Sequence, residues 1–203
     1  MKQQIILIHG GNTHKTYEKY LFFLKNQKID FERYRKAKSD WKKTLGKKLG
    51  KKYEVICPDM PNRANAKYAE WKIWFEKFIP HLKSKVVLIG HSLGGIFLAK
   101  YLSENKIFRK KIRAVFLVAA PYGSKNSGES LADFVLSRKL NKLSQAEKIF
   151  IYHSKDDPVV PFADALKYKK TLPQAKITAF KNRGHFNQAN FPELIKEVRK
   201  LYG

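Results

Sequence analysis

The sequence predicts an α/β protein, a three-layer α/β/α sandwich around a doubly wound, mainly parallel sheet of about six strands. Short apolar runs typical of buried strands alternate with stretches whose apolar residues recur every three or four positions, as in amphipathic helices. Polar residues follow several of the strand-like runs, at the edge where parallel sheets place their sites. The 203 residues can bury a sizeable core, and we expect a single domain over 1–203.

The predicted strands are six short runs rich in β-branched and aromatic residues. In chain order they span 3–8, 53–58, 86–89, 113–118, 148–153 and 176–180. Each interval between them is long enough for a helix, which is what parallel pairing of successive strands requires.

Two helices are predicted between the first and second strands, where a simple crossover needs only one. Thr13 is placed to cap the first of these helices and Ser39 the second. The first helix carries an apolar stripe at helical spacing, formed by Tyr17, Tyr20, Leu21 and Leu24. We expect a helical insertion around 13–38 at the rim of the functional site, and core packing is favoured over pocket lining for its aromatic side chains. Stripes at 68–78 and 191–201 predict further helices packed on the sheet.

The charge balance is strongly basic, with 42 Lys and Arg residues against 17 Asp and Glu and a formal net charge of +25. Such an excess can favour a nucleic-acid or anionic-membrane partner. Lysine dominates, however, and it is spread over most predicted helices and loops without a nucleic-acid-binding motif. A solvated surface is therefore favoured over contact with nucleic acid or an acidic protein. The densest lysine cluster lies at 42–52.

Other sequence features bear on compartment and partners. No apolar run approaches the ~20 residues of a membrane-spanning helix, so no membrane partner is expected. Cys57 is the only cysteine, which excludes an internal disulfide and favours a reducing, cytoplasmic location. We expect a monomer or a homodimer.

The most informative motif is Gly90-His91-Ser92-Leu93-Gly94-Gly95, which lies between a strand-like run and a helix-like run. It matches the G-x-S-x-G pattern of a nucleophile elbow. A serine on such a strained turn leaves no room for side chains two positions away on either side, which accounts for the glycines. We predict that Ser92 is a nucleophile and that the Leu93 N–H, at the start of the next helix, donates to an oxyanion.

A second glycine motif, His9-Gly10-Gly11-Asn12, follows the first predicted strand. It can direct the Gly11 N–H into the same crevice as Ser92 and complete an oxyanion hole. The alternative is an ordinary turn from strand to helix. His9 precedes the glycines, so a role in bracing the loop is favoured over catalysis.

An acid and a histidine follow later strands. A serine hydroxyl is a poor nucleophile until a base takes its proton, and His185 is placed to do so. A carboxylate would orient the imidazole and stabilise its charged form. Asp156 and Asp157 are both placed for that role, directly after the predicted strand at 148–153.

From Ile5 onward the chain resembles the α/β-hydrolases, most closely the compact retinoblastoma-binding-protein-type serine hydrolases. The motifs that carry the resemblance are His9-Gly10-Gly11, Ser39-Asp40-Trp41, the segment 54–61, the 90–95 elbow, Ala119-Ala120-Pro121, Asp156-Asp157-Pro158 and Gly184-His185-Phe186. The resemblance implies a trimmed α/β-hydrolase fold, a small site without a cap domain, no cofactor and no metal. It also implies a triad of Ser92, Asp157 and His185, because Asp-Pro-Val-Val-Pro resembles the pattern that carries the acid in this superfamily.

The predicted function is that of a serine hydrolase that cleaves small carboxylic esters through an acyl-enzyme intermediate. Cleavage of amides or thioesters remains open, since the same triad serves all three. Asn12, Met60 and Tyr122 are expected to contact the small-molecule ester substrate. The alternative is an interaction protein, catalytic or not, whose lysine-rich surface binds an acidic protein or nucleic acid.

Overall fold

The computed structural model of the chain describes residues 2–35, 40–104, 108–123, 131–136 and 140–202. One sheet contains all six of its strands, in the order β2-β1-β3-β4-β5-β6, and every neighbouring pair is parallel. The strands are β1 (Gln3–Ile8), β2 (Tyr53–Ile56), β3 (Val86–His91), β4 (Ile112–Val118), β5 (Ile149–Ser154) and β6 (Lys176–Phe180). The predicted strand number and parallel arrangement are confirmed.

Helices cover both faces of the sheet. They are α1 (Tyr17–Asn26), α2 (Phe31–Arg35), α3 (Trp41–Leu49), α4 (Tyr68–Phe78), α5 (Leu93–Ser103), α6 (Phe162–Thr171) and α7 (Pro192–Lys200), with short 3₁₀ turns at Ile79–His81, Ala132–Phe134 and Asn141–Gln145. Within the described ranges, every helix is too short or too polar to span a membrane.

Two apolar clusters define the layers of the sandwich. On β1, Ile6 and Ile8 pack with α4, α5 and α6, whereas Ile5 and Leu7 pack with α3 and α7. Because successive strand residues point to opposite faces, the two helix groups lie on opposite sides of the sheet. The central strands β1, β3 and β4 are accordingly buried almost throughout, as parallel strands covered on both faces must be.

The caps of the first helices differ from the predicted ones. Thr16, rather than Thr13, caps α1, and its Oγ1 accepts a hydrogen bond from the Lys19 N–H at 3.3 Å. Thr13 is buried and donates to the Ala66 carbonyl at 2.7 Å, so its hydroxyl braces a loop instead. Asp40 caps α3, and the predicted cap Ser39 lies outside the described residues.

The core packing expected for α1 is wrong. No side chain of α1 is buried, and Tyr17 and Phe22 are 62% and 70% exposed. A stripe at helical spacing identifies one face of a helix but not an element that covers it. The segment predicted as an insertion around 13–38 contains α1 and α2, with 36–39 outside the described residues. That it is an insertion, and that the chain is one domain, stay predictions.

Two glycine substitutions compare the tight packing of α5 against β1 with the looser packing of α3 against β2. A Cβ on Gly94 would overlap the backbone oxygen of Ile8 and lie 2.6 Å from that of His9, so Gly94→Ala should destabilise the fold by roughly 2–3 kcal/mol. A Cβ on Gly46, inside α3, would meet only Val55 at 3.5 Å, so Gly46→Ala should stabilise it by about 0.5–1 kcal/mol. Urea denaturation measures both, and shifts of the same sign would contradict this packing.

Candidate active site

Ser92 lies on a strained turn between β3 and α5, with φ 54° and ψ −123°. A side-chain-bearing residue in such a conformation costs about 1–3 kcal/mol and persists only where its surroundings hold it. Here the Ser92 N–H donates to the Val118 carbonyl at 2.9 Å, and the Ser92 carbonyl accepts from the Gly95 N–H at 2.8 Å. The end of β4 and the first turn of α5 therefore hold the serine in place.

The loop after β1 packs directly against this turn. A Cβ on Gly10 would lie 2.9 Å from the Cβ of Ser92, so only glycine allows the backbone to approach so closely. His9 braces the loop as predicted, since its Nδ1–H donates to the Gly10 carbonyl at 2.7 Å and its Nε2 accepts from the Met60 N–H at 2.9 Å. Burial lowers the pKa of His9, which favours this neutral ring.

A chain of hydrogen bonds runs from Ser92 to a buried carboxylate. The Ser92 Oγ lies 2.9 Å from Nε2 of His185, and Nδ1 of His185 lies 3.0 Å from both carboxylate oxygens of Asp157. The Oδ1 atom of Asp157 also accepts from the N–H groups of Val159 and Val160, at 2.8 and 2.9 Å. Because the carboxylate accepts at Nδ1, that nitrogen carries the proton and Nε2 has a free lone pair facing the hydroxyl.

Asp156 occupies a different position from its neighbour. Its Oδ1 accepts from the Gly184 N–H at 3.0 Å and from the Ser154 hydroxyl. It thus fastens the loop that carries His185 to the end of β5. Of the two adjacent acids, the structure brings Asp157 and not Asp156 against the imidazole.

Two buried aromatic rings hold two consecutive carbonyls of the loop that carries the imidazole. Trp41, 1% exposed, donates its Nε1–H to the Phe186 carbonyl at 2.8 Å. The Nε2–H of His91 donates to the His185 carbonyl at 2.9 Å. Burial holds the pKa of His91 well below its ordinary value, so the ring is neutral. Neither role was predicted, although both residues lie in motifs that carry the resemblance.

The two predicted oxyanion-hole donors belong to residues next to Ser92, one in the loop after β1 and one at the start of α5. Gly11 lines the cavity that contains the serine, and Leu93 is the first residue of α5, where a helix leaves its N–H groups unpaired. Neither N–H has a hydrogen-bond acceptor among the residues that the structure describes.

The cavity over Ser92 has a volume of about 480 Å³ and a mostly polar lining. Besides Ser92, His91 and His185, its polar side chains are Asn12, Asp40, Lys42, Arg63 and Asn187. Asn12, which was predicted to contact substrate, lines this cavity, and the contact itself stays a prediction.

Met60 and Tyr122, also predicted to contact substrate, are not among the described lining residues of the cavity. Met60 is 3% exposed and belongs to the core beneath α4. The Tyr122 hydroxyl bonds Thr171 at 2.8 Å, which fastens it to α6. A position directly after a strand brings a residue to the carboxyl edge of the sheet but does not set the direction of its side chain.

The lysines of the cluster at 42–52 differ in burial and in contacts in the folded chain. Lys42 is buried in the cavity, where its Nζ lies 2.7 Å from Oδ2 of Asp40. Lys48 donates to the Ala189 carbonyl at 3.2 Å, next to α7. Lys43, Lys47, Lys51 and Lys52 are exposed. Binding of nucleic acid or an acidic protein through this surface stays a prediction.

These features define a class of protein. A hydroxyl on a strained turn between a parallel strand and a helix, with an imidazole and a carboxylate on later loops, is the arrangement of an α/β-hydrolase. The chain belongs to the serine hydrolase family, whose family model matches residues 34–200. It is therefore a hydrolase, and the resemblance drawn from the sequence motifs is confirmed.

Individual relatives agree with this placement. The chain is 27% identical over 152 residues to serine hydrolase RBBP9 of Rattus norvegicus. The matched region covers 73% of this chain and 78% of that protein. The ydeN gene product of B. subtilis is similar in structure with a TM-score of 0.77 and 19% identity, over 99% of both chains. The meta-cleavage product hydrolase CumD of Pseudomonas fluorescens is similar in structure with a TM-score of 0.65 and 15% identity, over 98% of this chain and 90% of that one. These two structures show the shared fold.

Buried histidines should make the stability of the protein depend on pH. Burial is the largest cause of the lowered pKa values of His9, His91 and His153. Below about pH 6.5 these rings bind protons in the unfolded state, whereas their lowered pKa values keep them neutral in the folded state. The free energy of unfolding therefore falls as the pH decreases, by up to about 1.4 kcal/mol per pH unit for each ring.

Urea denaturation at pH 7, 6 and 5 measures this dependence. His91→Gln, which keeps an N–H donor for the His185 carbonyl, should make the decrease shallower. His81→Gln, at an exposed position, is the matched control and should leave it unchanged. A parent protein and a His91→Gln variant with identical pH dependence would contradict the burial of a neutral His91.

Proposed function

We propose that the chain hydrolyses small carboxylic esters with Ser92 as nucleophile, His185 as general base and Asp157 as the orienting carboxylate. The observation that carries this proposal is the continuous hydrogen-bonded chain from Ser92 Oγ through the imidazole to Asp157. The neutral Nε2 accepts the hydroxyl proton as it leaves, and the carboxylate stabilises the imidazolium that forms.

The reaction proceeds through an acyl-enzyme. The Ser92 Oγ attacks the ester carbonyl carbon while its proton passes to Nε2 of His185, giving a tetrahedral oxyanion. The C–O bond to the alcohol breaks as His185 returns that proton to the leaving oxygen. A water then gives a proton to His185 and attacks the acyl carbon. The bond between that carbon and Ser92 Oγ breaks as His185 passes the proton to Oγ, which releases the acid and restores the Ser92 hydroxyl. Amides and thioesters would follow the same route with another leaving group.

The N–H groups of Gly11 and Leu93 are the proposed oxyanion hole. Both border Ser92, and both lack an acceptor within the described chain, so they are available when negative charge develops on the carbonyl oxygen. Donors that are fixed before the reaction need no reorganisation in the transition state. Loss of one such donor costs about 3 kcal/mol of transition-state stabilisation in enzymes where it has been removed.

The two adjacent acids allow a matched test of this proposal. A fluorophosphonate probe should label Ser92, and Ser92→Ala should abolish labelling without loss of the folded circular dichroism spectrum. Asp157→Asn should slow labelling on the order of 10³–10⁴-fold, because an amide no longer holds the required tautomer. Asp156→Asn is the control, since an amide oxygen still accepts from the Gly184 N–H.

The labelling rate under second-order conditions is the measurement, and it needs no knowledge of the natural substrate. A folded parent protein that the probe does not label would contradict the enzyme mechanism. Equal losses of rate in Asp156→Asn and Asp157→Asn would contradict the assignment of the acid.

A further inference from the structure

We infer that the natural substrate is an ester that also bears a negatively charged group, such as a free carboxylate, and that Arg63 and Lys42 bind this group. The inference rests on the proposed hydrolase function and adds to it the chemical class of the substrate. It is carried by the side chains that surround the nucleophile.

The lining of the cavity is unsuited to a long acyl chain. Sites for apolar ligands are lined mainly by aliphatic and aromatic side chains. Here the described side chains near Ser92 are charged, amide or imidazole groups, and only Ala64 and Val159 are aliphatic. A substrate that fills this space has to supply polar or charged groups for them.

Arg63 supplies a positive charge close to the nucleophile. Its Nε–H donates to the Gly10 carbonyl at 3.1 Å, which places the guanidinium beside the loop that packs on Ser92. The Arg63 carbonyl accepts from the Asn12 N–H at 2.9 Å, so its backbone is fixed to the same loop. Of the five guanidinium N–H donors, only this one has an acceptor in the described part of the chain, and no carboxylate there lies within ion-pair distance.

Lys42 supplies a second positive charge in the lining of the cavity. Its side chain is only 10% exposed, and its ammonium group lies 2.7 Å from Asp40. The same ammonium lies 5.2 Å from the centroid of the Trp41 ring, and it has three N–H donors, of which Asp40 accepts one. Asp40 balances one of the two cations that line the cavity, and the other, Arg63, is left unbalanced.

Asp40 does not make the cavity a site for a cationic substrate. Its Oδ1 accepts from the Lys42 N–H at 2.9 Å as the cap of α3, and its Oδ2 accepts from the Lys42 ammonium. Both oxygens are therefore engaged with the chain. A carboxylate ligand, by contrast, matches the planar fork of the free guanidinium donors of Arg63.

The charge of the whole chain acts in the same direction. A formal net charge of +25 raises the concentration of anions near the surface and speeds their association, an effect that salt screens. The lysine-rich composition, which the sequence alone leaves without a function, would then favour capture of an anionic substrate. A direct contact with Arg63 differs from this long-range effect because a single substitution removes it.

The test compares two esters of equal size, monomethyl succinate and methyl succinamate. The first carries a free carboxylate, and the second carries a neutral carboxamide in its place. The parent enzyme should have about tenfold higher kcat/KM for the carboxylate ester. Arg63→Gln should remove most of this preference, because Lys42 is left as the one remaining cation among the described lining residues of the cavity. Arg109→Gln removes the same charge from an exposed position outside the cavity and should preserve it.

Each outcome decides between the alternatives. Hydrolysis of both esters at equal kcat/KM would overturn the inference and leave the hydrolase function intact. Equal loss of preference in Arg109→Gln and Arg63→Gln would assign it to the overall charge and overturn the role of Arg63. If neither ester is hydrolysed, calorimetric binding to Ser92→Ala decides. About tenfold tighter binding of monomethyl succinate, mostly lost in the double variant with Arg63→Gln, supports the inference, and equal affinities overturn it.

Discussion

The site depends on one constraint, the strained backbone at Ser92. The turn is held because β3 has β1 and β4 as neighbours, so that loops from both flanking strands reach it. The Val118 carbonyl fixes the Ser92 N–H from the β4 side, and Gly10 packs on its side chain from the β1 side. Strain of this kind survives only where packing over-determines the backbone. The result is a hydroxyl that projects from the sheet into a cavity instead of into the core.

The imidazole depends on a second set of contacts, far apart in sequence. His185 lies in the loop after β6, and the rings of Trp41 and His91 hold the carbonyls of this loop from the side of α3 and β3. Trp41 also packs edge-on against Phe191, which ties α3 to the start of α7. The apolar cluster that contains Trp41, Phe186 and Phe191 thus positions the adjacent polar side chain of His185. Packing and chemistry are coupled here through two hydrogen bonds to main-chain oxygens.

The parts of the structure that follow from local pattern were predictable from the sequence. Strand-like runs and the glycines around Ser92 report on backbone geometry, and the six-stranded parallel sheet and the hydrolase family are confirmed. Adjacent acids cannot be separated in this way, because Asp156 and Asp157 end the same strand, and only the resemblance favoured the residue that the structure places against His185. The exposure of α1 and the burial of Lys42 were missed for one physical reason. Both depend on which distant element lies opposite, and no local pattern encodes that.

We propose that one edge of the sheet brings a nucleophile and two N–H donors to the same reacting centre. A crystal structure of the phosphonylated protein would test this arrangement, since the phosphonyl oxygen occupies the position of the oxyanion. We expect an adduct on Ser92 Oγ with that oxygen about 2.7–3.1 Å from the nitrogens of both Gly11 and Leu93. An adduct on another residue, or a phosphonyl oxygen directed away from both nitrogens, would contradict it.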